Sequence, residues 1–137
     1  MNTLIQNGIV VTAKETRKAN VLIEGERISQ VGPNVTGGSN ARVIDAAGMY
    51  VFPGGIDAHT HLDMPFGGTT SSDDFETGTR AAAFGGTTSI VDFAIQRRGT
   101  RMRDALDTWW KKAEGRATID YGRHMVVTDL AGEGLED

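Results

Sequence analysis

Met49-Tyr50-Val51-Phe52-Pro53-Gly54-Gly55-Ile56-Asp57-Ala58-His59-Thr60-His61 is the stretch whose reading decides the fold. Residues 50–57 alternate little between apolar and polar, which predicts a parallel strand buried on both faces. That strand runs into two histidines. Side chains on a strand alternate with period two, so Asp57, His59 and His61 are expected on one face and Thr60 on the other. Neutral imidazole is the commonest protein ligand for a metal ion, and this spacing lets both rings reach one ion. A bare His-x-His is weak by itself. Behind Gly-Gly-Ile-Asp at the end of an apolar run, it reads as a metal-ligand pair rather than as two exposed loop histidines.

Downstream, residues 62–72 form a loop of mixed character. Asp73 is a candidate N-cap with Glu76 three residues on, the spacing of a capping box. Phe75, Thr79, Ala82 and Ala83 then follow a helical stripe that stops at Gly85-Gly86. Residues 87–94 predict a second strand with one acid, Asp92. A second helix is expected over about 100–114, with Met102, Ala105, Leu106, Trp109, Trp110 and Ala113 on one face. Residues 121–128 predict a third strand containing His124, and residues 131–137 start a further connection.

Upstream, residues 1–48 read as all-β, with short strands and close turns. Asn7-Gly8 is a turn signal inside residues 3–12, and residues 14–18 make a solvated connection. Residues 21–24 and 27–31 form a hairpin through Gly25-Glu26, and residues 42–45 add a strand before the turn Ala46-Ala47-Gly48. The boundaries expected are therefore a partial β domain over residues 1–49 and three β/α units over 50–137.

The β-α-β-α-β order is a parallel α/β wind. Its first strand lacks the G-x-G-x-x-G of a dinucleotide site. Ligands at the C-terminal end of strand one suit a (β/α)8 TIM-type barrel, whose active sites lie on that face. Residues 51–137 number 87, against about 250 for such a barrel. Three strands cannot close, so the chain reads as the N-terminal part of a barrel behind part of a small β-sandwich domain.

Composition excludes several classes. The chain is 39% hydrophobic and 23% charged, which suggests neither disorder nor a membrane protein. A net charge of −4 without a Lys/Arg cluster argues against nucleic acid as a partner. There is no cysteine, so a transition metal must be held by His and carboxylates, which suits hydrolytic zinc. No signal peptide or apolar span is visible, and a cytoplasmic location is expected.

Residues 54–61 resemble the first metal-binding strand of the amidohydrolase superfamily. Leu62-Asp63-Met64-Pro65-Phe66-Gly67-Gly68-Thr69 and Gly85-Gly86-Thr87-Thr88-Ser89-Ile90-Val91-Asp92-Phe93-Ala94 are similar to the dihydropyrimidinase/D-hydantoinase family. The resemblance runs over essentially all 137 residues but matches only the N-terminal part of the longer family chain. It implies a zinc-dependent hydrolase that opens dihydropyrimidine or 5-substituted hydantoin rings by attack of metal hydroxide on a ring amide carbonyl, giving N-carbamoyl amino acids. It also implies a binuclear zinc site, with His59 and His61 on the more buried ion, a bridging carbamylated lysine, two further histidines and a catalytic aspartate. None of these others has a matching position here, and the lysines are Lys14, Lys18, Lys111 and Lys112. The general acid/base is absent for the same reason, so the chain by itself is expected to be inactive. A homo-oligomer, a tetramer in the full-length protein, is a further implication, with a small cyclic amide as substrate.

Other residues carry two readings each. Asp57 is a candidate to support a ligand from behind, or a buried carboxylate satisfied by backbone donors. Asp92 is read as structural before site-facing, and His124 as a core or barrel-wall histidine before a ligand. Met64 and Phe66 are candidates for substrate contact, because apolar groups beside a polar site shape a pocket; the loop at 62–72 corresponds, by resemblance, to one that gates stereochemistry. Ordinary loop packing is the alternative. Trp109 and Trp110 read as helix packing. Asp63 stands where dihydroorotase-like sequences carry Arg for a substrate carboxylate, which argues for uncharged rings. An allantoinase-like cyclic amidase and a non-catalytic dihydropyrimidinase-related scaffold are the alternatives.

Overall fold

The computed structural model describes residues 2–130, so the connection expected at 131–137 lies outside the described residues. The chain divides into two compact units, Met1–Pro53 and Gly54–Asp137. The division falls four residues later than the sequence suggests. The reason is that the strand expected over 50–57 is two strands. Tyr50–Val51 (β5) pairs with the first strand of the first unit, and Gly55–Thr60 (β6) opens the second. Between them Pro53 has no N–H to give a ladder.

The first unit is one mixed sheet in the order β3-β2-β1-β4, with β5 also against β1. It comprises β1 (Asn2–Val11), β2 (Thr16–Glu24), β3 (Arg27–Gly32), β4 (Arg42–Asp45) and β5. The second layer of a sandwich is not found among the described residues. The hairpin from β2 to β3 turns at Gly25, whose φ of 63° favours glycine. The turn expected at Asn7-Gly8 is instead a bulge within one continuous strand. Register jumps from Ile5 opposite Val21 to Gly8 opposite Ala19. Asn7 takes φ 63°; its amide donates to Asn20 Oδ1 and its Nδ2 to Asp45 Oδ1, both at 2.9 Å. Asn tolerates this left-handed conformation better than most residues, so the signal was real but marked a kink. Val10, Ala19 and Val21 form the core, with Ile5, Ile23 and Val51 packed around them.

The second unit continues from β6 through a small ribbon, β7 (Pro65–Phe66) and β8 (Thr69–Thr70), to α1 (Phe75–Phe84). It then runs through β9 (Thr87–Ile95), α2 (Met102–Ala113) and β10 (Asp120–Val126). The three long strands are parallel in the order β10-β9-β6. This is a mixed α/β unit whose sheet does not close. Both helices pack on one face, where Phe75 of α1, Ile90 and Ala94 of β9, and Trp109 and Ala113 of α2 share a core. Fully burying a side chain such as Phe75 contributes about 1.5–3 kcal/mol.

Helix α1 starts one residue later than the capping signal suggests. Asp74, not Asp73, is the N-cap: its carboxylate accepts the Glu76 and Thr77 amides at 2.9 Å, and Thr77 Oγ1 accepts the Asp74 amide at 3.1 Å. Arg116, just beyond α2, pairs with the same carboxylate and so ties the two helix ends together. The Thr77 amide above all holds the Asp74 carboxyl below its ordinary 3.8; desolvation opposes it, and the Arg116 charge adds to the lowering. On α2 the buried stripe is narrower than expected. Ala105, Trp109 and Ala113 are buried, whereas Leu106 and Trp110 reach solvent.

Arg123 of β10 enters the helix-facing layer. Its guanidinium lies 4.8 Å from the Trp110 ring and 4.9 Å from that of Tyr121, and Nη2 donates to the Trp109 carbonyl at 2.8 Å. Burial lowers its pKa, partly offset by attraction to Tyr121 and Asp92. No described helix is long and apolar enough to cross a membrane.

Candidate metal centre

At its C-terminal end β6 departs from regular pairing. Asp57 is opposite Ile90, but Thr60 is opposite Asp92, so three steps on β6 match two on β9. This bulge lies at Ala58 and His59, and such bulges commonly re-aim a side chain beside a site. The Asp57 carboxylate accepts the His59 amide at 3.1 Å and stabilises the kink. Asp57 and Thr60 are thereby in register with Ile90 and Asp92, which face the helices, so the expectation that Asp57 shares a face with the imidazoles is corrected. What Asp57 touches is the His59 backbone.

His59 and His61 do converge. Their Nε2 atoms are 3.1 Å apart, and the rings meet edge to face with centroids 4.9 Å apart. Two nitrogens bound to one tetrahedral zinc at about 2.0–2.1 Å would sit roughly 3.3 Å apart. The pair therefore fits two ligands of a single ion. No group of three or more His, Cys, Asp or Glu able to hold a metal occurs among the described residues, so a complete metal site is not present among them.

Phe93 of β9 lies beneath the pair, its ring centroid 4.5 Å from that of His59 and 5.1 Å from that of His61. His124 of β10 is in register with Phe93, and its ring lies tilted at 41° with the centroids 4.8 Å apart. His124 is thus neither a core residue nor buried. It stands exposed on the face that carries the pair, and its Nε2 lies 3.1 Å from the Ala58 carbonyl in the bulge. A carbonyl only accepts, so Nε2 carries the proton.

Asp92 points the other way and is fully buried. Its Oδ2 accepts the Thr60 hydroxyl at 2.9 Å and the Leu62 amide at 2.8 Å; Oδ1 accepts the Phe93 amide at 2.8 Å and Trp109 Nε1 at 3.2 Å. It does not face the imidazoles. Sequence reasoning missed both Phe93 and this network, although a lone carboxylate in a β-branched apolar strand is a signal for either.

The expected loop at 62–72 contains the β7–β8 ribbon, which turns at Gly67 and Gly68, both with positive φ. The Met64 amide donates to Ser71 Oγ, and the Ser71 amide to the Met64 carbonyl, each at 2.9 Å. Met64 is half-buried at the ribbon's base, while Phe66 at its tip is 76% exposed. Asp63 is committed elsewhere: Lys112 Nζ on α2 donates to its carbonyl and lies 3.5 Å from its carboxylate. The Asp63 charge, on which the expectation of uncharged rings rests, is thus paired with Lys112. The same Lys112 also sits 4.5 Å over the Trp109 ring.

Residues 50–116 match the amidohydrolase family. A D-hydantoinase from Geobacillus stearothermophilus is 53% identical over 137 residues, which is 100% of this chain and 29% of that one. A dihydropyrimidinase from Dictyostelium discoideum is 43% identical over 125 residues, 91% of this chain and 25% of that one. The crystal structure of dihydropyrimidinase from Brevibacillus agri NCHU1002 superposes with a TM-score of 0.95 at 55% identity, covering 99% of this chain and 29% of that one. The fold matches the N-terminal part of solved structures from the amidohydrolase superfamily. Within that superfamily the chain belongs to the D-hydantoinase/dihydropyrimidinase family, and it spans less than a third of the length of these relatives.

Proposed function

We propose that the chain is part of a small β domain followed by the first three β/α units of a (β/α)8 barrel, in a zinc-dependent cyclic amidohydrolase that opens dihydropyrimidine or 5-substituted hydantoin rings to N-carbamoyl amino acids. The observation that carries this reading is the 3.1 Å approach of His59 and His61 Nε2 at the end of a parallel strand. When bound, zinc supplies Lewis acidity and lowers the pKa of a coordinated water toward 7. The chain's own residues perform the rest of what is visible. The bulge at Ala58 and His59 aims one imidazole, the Phe93 ring supports both, and the Asp57 carboxylate braces the bend through the His59 amide. Met64 and Phe66, on the ribbon that directly follows the pair, form a wall for the substituent on the ring. The relatives named above support the substrate class. They do so for hydantoins and dihydropyrimidines alike.

The test is made on the complete natural protein that carries this chain. Zinc per subunit and ring opening of hydantoin and dihydrouracil are measured for the wild type, His59→Ala and His61→Ala. Each substitution should lower zinc content and reduce ring opening by at least about 100-fold, since catalytic zinc sites normally rest on about three protein ligands. The double variant with unchanged zinc content would overturn the reading.

A further inference from the structure

We infer that Asp92 is the positioning residue for His61, holding that imidazole at the metal from the opposite face of the sheet. The inference rests on the metal-site reading above and adds to it a residue that touches neither imidazole. The last ladder pair of β6 is Thr60 with Asp92, so His61 lies just beyond regular pairing. Its two chain neighbours are nevertheless held by one carboxylate oxygen: Oδ2 takes the Thr60 hydroxyl and the Leu62 amide. The peptide unit after His61 and the side chain of the residue before it are thereby pinned to β9. The other oxygen takes the Phe93 amide and the Trp109 indole N–H, so the bracket is anchored to the strand below and to α2.

The chemistry of these partners calls for an acceptor at both oxygens. Four donors converge on a fully buried side chain, and Arg123 in the same layer adds a favourable charge. An amide in place of the carboxylate would turn its NH2 toward two of the donors. In one orientation those are the Phe93 amide and the Trp109 indole, neither of which can accept. In the other they are the Leu62 amide, which cannot accept, and the Thr60 hydroxyl, which can rotate to do so. Every arrangement leaves at least one buried donor unpaired, and the less costly one releases Leu62 beside the ligand. A ligand held loosely must be ordered on binding, which lowers affinity for the ion.

The experiment compares Asp92→Asn, Thr60→Val and Phe75→Leu in the complete natural protein. Zinc affinity is read by chelator competition well below each melting temperature, alongside hydrogen exchange of the Leu62 amide. Asp92→Asn should weaken zinc binding about 10–100-fold, the range found for groups that orient ligands, and should accelerate Leu62 exchange. Thr60→Val removes one arm and should weaken zinc severalfold with a melt close to that of the wild type. Phe75→Leu, in the same core but with no bond to Asp92, lowers the melt and leaves the bracket in place, so zinc affinity should stay within about threefold, under 1 kcal/mol. Zinc affinity that falls across the three in proportion to melting temperature would overturn the inference, because that is what a purely structural carboxylate gives. If Asp92→Asn does not fold, Thr60→Val decides: unchanged affinity overturns the role. A wild-type protein without zinc would overturn the metal-site reading and this inference together, whereas zinc-loaded wild type with indifferent variants overturns the inference alone.

Discussion

The two faces of β9 are built from the same nine residues and do opposite work. Ile90, Asp92 and Ala94 face the helices and are buried against Phe75, Trp109 and Ala113. One residue out of phase, Phe93 faces His59, His61 and His124, and none of those imidazoles is buried. The covered face is apolar apart from Asp92, whose every lone-pair direction has a donor. The other face carries rings and polar tips whose partners among the described residues are few. Stability therefore resides on one side of the sheet and the candidate chemistry on the other. Asp92 is the group on the stable side whose hydrogen bonds reach around the strand end to the reactive side.

The largest expected effect separates the faces outright. Residues 1–137 purified alone should show no zinc-dependent hydantoin hydrolysis and should self-associate, since β10 presents an open parallel edge and Ile56 and Phe66 are exposed. A monomeric, active species would break the comparison by showing that the uncovered face suffices. Next in size, Phe75→Ala should destabilise the fold by about 3–5 kcal/mol in a denaturant melt, the usual cost of emptying a buried aromatic site. His59→Ala, on an exposed position, should change the same melt by less than about 0.5 kcal/mol. Equal losses from the two would erase the distinction.

A smaller effect is expected at Gly54, where the chain enters β6 beside Thr88. An added Cβ would overlap the Thr88 side chain, whose own Cβ would lie 2.7 Å away. Gly54→Ala should therefore cost about 1–3 kcal/mol, as overpacking does, and an unchanged melt would show that the strand entry has room. On the ribbon, Phe66→Ala should shift preference among 5-substituted rings by about tenfold, some 1.4 kcal/mol, with little change for the unsubstituted ring. Equal rate losses for both would remove Phe66 from the pocket wall.

The smallest effect is one of pH. The folded-state pKa of Asp74 is lowered beneath 3.8, chiefly by the Thr77 amide and then by Arg116. Its contribution is therefore fully present above the unfolded value and is lost as pH falls through the lower folded value. Asp74→Asn keeps an acceptor for the cap but gives up the charge. Its melting deficit at neutral pH should shrink on acidification below 3.8 and vanish once the wild-type carboxyl is itself protonated. A deficit independent of pH would assign the cap to geometry alone.

Much of this was legible in the residues. The β-α-β-α-β order and the two-histidine strand end follow from short-range signals, namely apolar runs, glycine pairs and the spacing of polar groups, and the family from the resemblance carried by residues 54–69 and 85–94. Those signals report which local conformations a segment favours, so element types survive even where their ends shift by a residue, as at Asp73 and Asp74. Three things lay beyond them. Residues 50–57 divide between two sheets because β5 finds its partner in β1, some forty residues earlier, and no local pattern encodes that pairing. Asp57 leaves the face of His59 because a bulge against β9 breaks the period of two, and a bulge exists only in relation to the opposing strand. Asp63 and Asp92 take their roles from Lys112, Trp109, Thr60 and Leu62, which approach from distant positions in the chain. A carboxylate's chemistry is set by the donors around it, and those donors are assembled only when the helices lie down on the sheet.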